Sequence, residues 1–232
     1  MTTLLIATRN RHKAEEIRAI LGGQFQFLTL NDFPAAPKII EDAGTFAGNA
    51  TKKAAELARW ISENSKLKTQ NPKLDFVLAD DSGLEVDALG GNPGVHSARF
   101  AALGKNENSF DTDNNAKLLL LLKDVPPEKR AARFRCALVL APVLKKKNEN
   151  SSPVCHADEF EMQVQLFDGA CEGRIIFEPR GKNGFGYDPL FVPDGFEKTF
   201  AELGEGAKNK SSHRAKALEK LRQFLFAAKS GL

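Results

Sequence analysis

The sequence predicts an α/β fold with an antiparallel portion in its second half. Short apolar runs alternate with helical patterns through the first half, as strands joined by helical crossovers do. The second half is richer in strands: residues 132–140, 160–167 and 170–177 carry enough β-branched and aromatic side chains to pair. A chain of 232 residues suits one large domain or a two-lobed one, and no internal repeat divides it.

The elements follow in order. Residues 4–7 are a short apolar run, fit for a buried parallel strand. Ile17, Ile20 and Leu21 fall on one helical face, and Gly22-Gly23 end that helix. Residues 25–28 read as a second strand, and residues 32–44, with Pro34, Pro37 and Gly44, as a loop. Phe46, Ala50, Ala54, Leu57 and Ile61 form the apolar stripe of a helix over 45–63. Residues 65–74 are a polar linker. A strand then runs into Asp80-Asp81, where a Ser82-Gly83 turn is expected to end it. Gly90, Gly91, Pro93 and Gly94 mark a turn-rich loop, and a helix is expected over 113–122, before Pro126-Pro127. Residues 142–158 read as a long hairpin excursion, and GFGYDPLFVP breaks regular structure. A last amphipathic helix spans 212–228, with Leu218, Leu221, Leu225 and Phe226 on one side.

Composition narrows the function. Net charge is +3, from 33 basic and 30 acidic side chains, which gives no basic footprint for binding nucleic acid. Lys145, Lys146 and Lys147 sit among Asn and Ser and read as a solvated loop tip. Cys136, Cys155 and Cys171 are odd in number and lack CxxC spacing, so neither a zinc site nor a disulfide framework is predicted. Reduced thiols fit a cytoplasmic protein. The N-terminal apolar run is too short for a signal peptide, and no segment approaches a membrane span.

Four places can carry chemistry. Asp80 and Asp81 are adjacent carboxylates whose repulsion a divalent cation would relieve, and both are hard ligands of the kind Mg²⁺ takes. A polar strand end would explain them equally. Glu41 is a third carboxylate within a loop, and Lys53 lies on the helix that follows. Residues 8–13, TRNRHK, open a helix whose free N–H groups favour an anion; Asn10 can cap it and Lys13 adds a positive charge. Phe185-Gly186-Tyr187-Asp188-Pro189 puts two aromatics in a loop, either as a wall for a base or as core. Finally, Lys208 precedes Ser212-His213-Arg214, which opens the last helix. Ser212 is a natural cap, but cations in a first turn oppose the helix dipole unless an anion docks there. His12, His96 and His156 have no comparable context.

Those motifs, TRNRHK, ADDSGLEVDALGGNPGVHSARF, GFGYDPLF and KNKSSHRAKAL, closely resemble the inosine triphosphate pyrophosphatase family over nearly the whole chain. The resemblance implies an elongated mixed β-sheet flanked by helices, in two lobes with a central cleft, and a homodimer. It implies hydrolysis of non-standard purine nucleoside triphosphates (ITP, dITP, XTP) to the monophosphate and pyrophosphate. By position, Thr8, Arg9, Asn10, Arg11, His12 and Lys13 would hold the triphosphate, and Lys53 would touch phosphate. Glu41 and Asp81 would hold Mg²⁺, with Asp80 nearby. Asp81 matches the family's proton acceptor and Ser82 a substrate contact. Phe185, Gly186, Tyr187, Asp188, Lys208, His213 and Arg214 would form the base pocket, with Arg99 a further contact. One departure is Arg9, where the family usually has glycine; a cationic contact there would replace close approach to the backbone.

Asp81 acting as base and Asp81 acting as metal ligand are in tension, because a bound cation lowers basicity, and the sequence leaves both open. A pyrophosphatase for modified or pyrimidine nucleotides and a non-catalytic nucleotide sensor are the competing readings.

Overall fold

The computed structural model describes residues 1–64, 74–102, 108–144 and 163–230, with side chains to 227. Residues 65–73 of the expected linker, the Lys145–Lys147 tip, Cys155, His156 and most of the 142–158 excursion lie outside the described residues, and Leu74, expected in the linker, begins a strand. The strands are β1 (Thr2–Ile6), β2 (Phe25–Thr29), β3 (Leu74–Val86), β4 (Ala131–Pro142), β5 (Gln165–Ile175) and β6 (Phe191–Pro193). They form one sheet in the order β2-β1-β3-β4-β5-β6. β1 pairs parallel with β2 and β3, and the remaining pairings are antiparallel. This is the mixed, open α/β sheet the sequence predicts.

The helices are α1 (Arg11–Leu21), α2 (Phe46–Glu63), α3 (Asp111–Leu121), α4 (Phe200–Ser211, kinked at Gly204) and α5 (His213–Ser230). Alternation along β3 and β4 decides which helix covers which face. Leu78, Leu138 and Leu140 join Leu4 and Ile6 against Ile17 and Leu21 of α1 and Leu218 and Leu221 of α5. Val77, Ala79, Ala137 and Val139 join Leu5 against Ala50, Ala54, Leu57 and Ile61 of α2. A third core lies at the far end of β3 and β4, where Leu84, Val86, Ala132 and Phe134 meet Leu118, Phe191 and Phe200.

Three expectations need correction, and two turn on glycine. No turn follows the acidic pair: β3 continues through Ser82 and Gly83 to Val86, paired throughout with β4. Gly83 serves a close approach instead. A Cβ there would lie 2.6 Å from the Gly94 carbonyl oxygen and 2.3 Å from Ser97 Oγ. Ser97 Oγ in turn accepts the Leu84 N–H at 2.9 Å and donates to the Gly94 carbonyl at 2.6 Å.

The expected strands over 160–167 and 170–177 are, where described, one continuous strand, β5. Gly169 lies inside it, because a Cβ would meet the His213 carbonyl oxygen at 2.1 Å and the Ala217 nitrogen at 2.8 Å. This glycine therefore sets how closely the start of α5 sits on the sheet.

Helix α4 was not expected, although its start is written in the sequence. Thr199 Oγ1 accepts the Glu202 N–H at 3.2 Å, and Glu202 Oε2 accepts the Thr199 N–H at 2.8 Å, a capping box. Gly204 and Gly206 obscure the helical pattern that follows.

Candidate active site

Adjacent residues of a strand point to opposite faces, so Asp80 and Asp81 do not share an environment. Asp80 faces α1 and α5. Asn10 caps α1 by accepting the Lys13 N–H at 3.1 Å, and the Lys13 ammonium lies 2.5 Å from Asp80 Oδ1. Arg214 Nε donates to Asp80 Oδ2 at 2.9 Å, Ser82 Oγ donates to Oδ1 at 3.0 Å, and the Cys136 thiol donates to Oδ2 at 3.4 Å. Burial pushes the Asp80 pKa up, but Arg214 and Lys13 outweigh it and hold the carboxyl well below its ordinary value. Cys136 is driven well above the usual thiol range by burial and then by Asp80, so it stays protonated.

Asp81 faces α2. Oδ2 accepts from Asn49 Nδ2 at 3.0 Å and Oδ1 from the Ser82 N–H at 3.0 Å. Both neighbours are neutral, and only 6% of the residue is exposed. Burial raises its pKa to about 6; Lys13 and Lys53 pull it down and Glu41 pushes it up. Lys53, one turn after Asn49 on the inner face of α2, pairs with the Glu41 carboxylate and donates to the Asp80 carbonyl at 3.1 Å. Thus Asp80 is a neutralised structural carboxylate, and Asp81 is the one without a direct cationic partner among the described residues. The repulsion expected between adjacent carboxylates is relieved by strand alternation, Lys13 and Arg214.

The opposite side of the site is held by Glu16. This α1 carboxylate pairs with Arg214 Nη1 and lies 2.8 Å from Lys208 Nζ, which is also 2.6 Å from Asp188 Oδ2. Burial raises the Glu16 pKa, but Arg214 and Lys208 together bring it below the carboxylate norm. Asp188 goes the other way, because burial outweighs Lys208. Asp188 Oδ2 also accepts the Phe185 N–H at 2.9 Å, and the Gly186 N–H donates to Asp111 Oδ2 at 2.6 Å. The loop is thereby fixed with the Phe185 ring under Lys208 Nζ, 4.3 Å from its centroid.

The structure gathers Lys13, Lys53, Ser82, Phe185, Asp188, Lys208 and Arg214 with Asp80 and Asp81 into one ion-paired and hydrogen-bonded network. Other expected site residues sit differently. Thr8 Oγ1 accepts the Asn10 N–H at 3.0 Å and shapes the turn. Arg9 does not extend freely toward the helix start; its Nη2 donates to the Ala36 carbonyl at 3.3 Å. Arg11 is exposed and pairs with Glu15 at 2.7 Å along its own helix. His12 stacks on Phe185. Arg99 donates to the Glu41 carbonyl at 3.4 Å.

Tyr187 is no wall for a base: it is 3% exposed in the third core, with its hydroxyl donating to the Ser97 carbonyl at 2.9 Å. Its core alternative was the right one. His213 is buried and stacked on Phe134 at 4.9 Å; burial, Arg214 and Lys208 keep it well below the usual histidine pKa, hence neutral. The anion that compensates the first turn of α5 is the protein's own, Asp80 and Glu16 on Arg214.

Three contributors were missed. Glu16 lies one turn beyond His12 and Lys13, next to the buried Ile17. Asn49 lies on the inward face of α2, with Phe46, Ala50 and Lys53. Each is a polar residue within an apolar helical stripe, which was a legible signal. Cys136 gave none.

Known proteins resemble this chain over nearly its whole length. The Ham1 family matches residues 4–224. A dITP/XTP pyrophosphatase of Geobacter sulfurreducens is 44% identical, covering 97% of each chain. Another, of Desulforamulus reducens, is 42% identical over 96% of this chain and 94% of its own. The solved Ham1 protein of Staphylococcus aureus superposes with a TM-score of 0.73 at 30% identity, covering 98% of this chain and 100% of that one. A family match across this span, with relatives above 40% identity over nearly full length, places the chain in the Ham1 family.

Proposed function

We propose that this chain hydrolyses ITP, dITP and XTP to the nucleoside monophosphate and pyrophosphate, with Mg²⁺, as a cytoplasmic homodimer that clears non-standard purines from the nucleotide pool. The observation that carries the reading is Asp81: a buried carboxylate with pKa raised to about 6, oriented by Asn49 and the Ser82 N–H, beside two lysines. Relatives named dITP/XTP pyrophosphatase support the substrate class.

The residues fit a divalent cation. Asp81 and Glu41 offer hard oxygens, Glu41 lies close enough to push the Asp81 pKa up, and Asp81 lacks an ion-pair partner among the described residues. No group of three acidic, histidine or cysteine side chains is assembled among those residues. Two carboxylates completed by substrate phosphate oxygens and water is the usual manner of Mg²⁺. When bound, the ion would neutralise charge on the phosphates.

Without a cation Asp81 has a pKa of about 6, and a cation on its carboxylate would lower that value, so the ligand and base roles compete. With the ion held chiefly by Glu41 and phosphate oxygens, Asp81 would accept the proton of a water directed at the α-phosphorus. The bond from the α-phosphorus to the α–β bridging oxygen breaks, and pyrophosphate leaves. Lys13 and Lys53 would stabilise the charge on the leaving group. In the free chain both are held, on Asp80 and Glu41, so triphosphate takes them over by exchange.

At the other end Phe185 would stack the base. Donors near it suit a 6-keto oxygen and leave an adenine amino group unpaired, which costs roughly 1–3 kcal/mol. Pyrophosphate release measured with ITP, dITP, XTP, GTP and ATP tests this reading, and equal kcat/KM for ITP and ATP would remove it.

A further inference from the structure

His12 and Phe185 come from segments at opposite ends of the sequence, yet their rings stack with centroids 5.4 Å apart and planes 14° from parallel. His12 belongs by sequence to the turn that opens α1. Within that turn Asn10 caps the helix and Lys13 reaches Asp80, whereas His12 alone turns to the aromatic loop. Glu16, one turn on, holds the two cations over the same ring: Lys208 at 4.3 Å and Arg214 at 5.9 Å from its centroid. One face of α1 therefore serves Phe185 at two levels.

The stack has no room for a purine. Each ring-to-ring contact needs about 3.5–4.0 Å, so a base inserted between two rings needs them roughly 7 Å apart. The face of Phe185 that His12 covers is closed in the free chain. The cover is weakly held: the histidine is exposed, and its ring makes no hydrogen bond among the described residues. The His213–Phe134 stack is buried by contrast and is not of this kind.

We infer that His12 acts at the nucleobase end, as a displaceable cover on the stacking face of Phe185. A purine takes its place, exchanging the His12–Phe185 contact for a base–Phe185 contact. His12 thereby weakens every ligand that carries a base and leaves the phosphate subsite untouched. The inference rests on the reading of Phe185 as the platform for the base.

The test compares His12→Ala, Phe185→Ala and the unaltered chain, using ITP turnover and inhibition by tripolyphosphate, which has no base. Removing one aromatic stack changes affinity by about three- to tenfold. His12→Ala is expected to lower KM for ITP by about that factor, with the gain in KM rather than kcat. Its inhibition constant for tripolyphosphate should not move. Alanine is a good helix former at this exposed position, so folding is not at risk. An unchanged or raised KM for ITP overturns the inference. So does a weakened tripolyphosphate constant, which would make His12 a phosphate ligand. Phe185→Ala separates the two levels: it should raise KM for ITP and spare tripolyphosphate, and if it does neither, the platform reading itself fails.

Discussion

Asp80 and Asp81 are neighbours in the chain and strangers in the fold. Asp80 receives Arg214 Nε at 2.9 Å on one face of β3, and Asp81 receives Asn49 Nδ2 at 3.0 Å on the other. One carboxylate is neutralised by cations and anchors both helix starts. The other is bonded only by neutral donors and keeps a pKa of about 6. The division of labour follows from the period of two along a strand.

Asp81→Asn should therefore cost activity and not the fold. We expect kcat to fall by about 10²–10⁴, the usual worth of a positioned proton acceptor. Circular dichroism should be unchanged. Retention of most pyrophosphate release would reject the role.

The same substitution reports on stability through pH. The folded Asp81 pKa of about 6 lies above its reference value of 3.8, so the folded chain holds more protons between them. Asp81 consequently favours the folded state less as pH rises through that window. Asp80, held low, adds stability that is lost only as pH falls below 3.8, outside the window. In metal-free buffer, the stability of Asp81→Asn relative to the unaltered chain should rise from about pH 4 to about pH 6 and then level off. Denaturant unfolding at several pH values measures it, and a flat difference contradicts the buried-acid account.

Glu16 joins Arg214 and Lys208, so Glu16→Gln leaves two buried cations short of a counter-charge. Loss of about 3 kcal/mol is expected, as for one partner removed from a buried ion pair. Because the same cations lie over Phe185, KM for ITP should rise more than kcat falls. Urea unfolding and steady-state kinetics read the two effects separately.

Gly169→Ala tests the seating of α5. Its Cβ would meet backbone at 2.1 Å, and backbone cannot rotate aside. We expect a loss of about 1–3 kcal/mol or more, with a fall in kcat/KM as Arg214 shifts from Asp80. An alanine variant as stable and active as the original would show that the approach is not tight.

The sequence makes the sheet and most helices legible because their apolar periods are strong and Asn10 and Ser212 cap as expected. It misplaces the ends of β3 and β5 because glycine carries two meanings. Gly83 looks like a turn residue and Gly169 falls between two expected strands, but each makes room for a neighbouring segment. Helix α4 is hidden by the cost of Gly204 and Gly206, despite its capping box. At the site, charge is readable and pairing is not. Nothing in Lys208 or His213 reveals that the first is locked to Asp188 and Glu16, or that the second is neutral. Tyr187 was as compatible with a core as with a wall, and burial decides.

The most direct measurement is pyrophosphate release from ITP with Mg²⁺, set against ATP and against a chelated control. We predict stoichiometric inosine monophosphate and pyrophosphate, a strong preference over ATP, and loss of turnover on chelation. Release of orthophosphate instead, or turnover indifferent to the base, would contradict a buried Asp81 working between two lysines and a stacked purine.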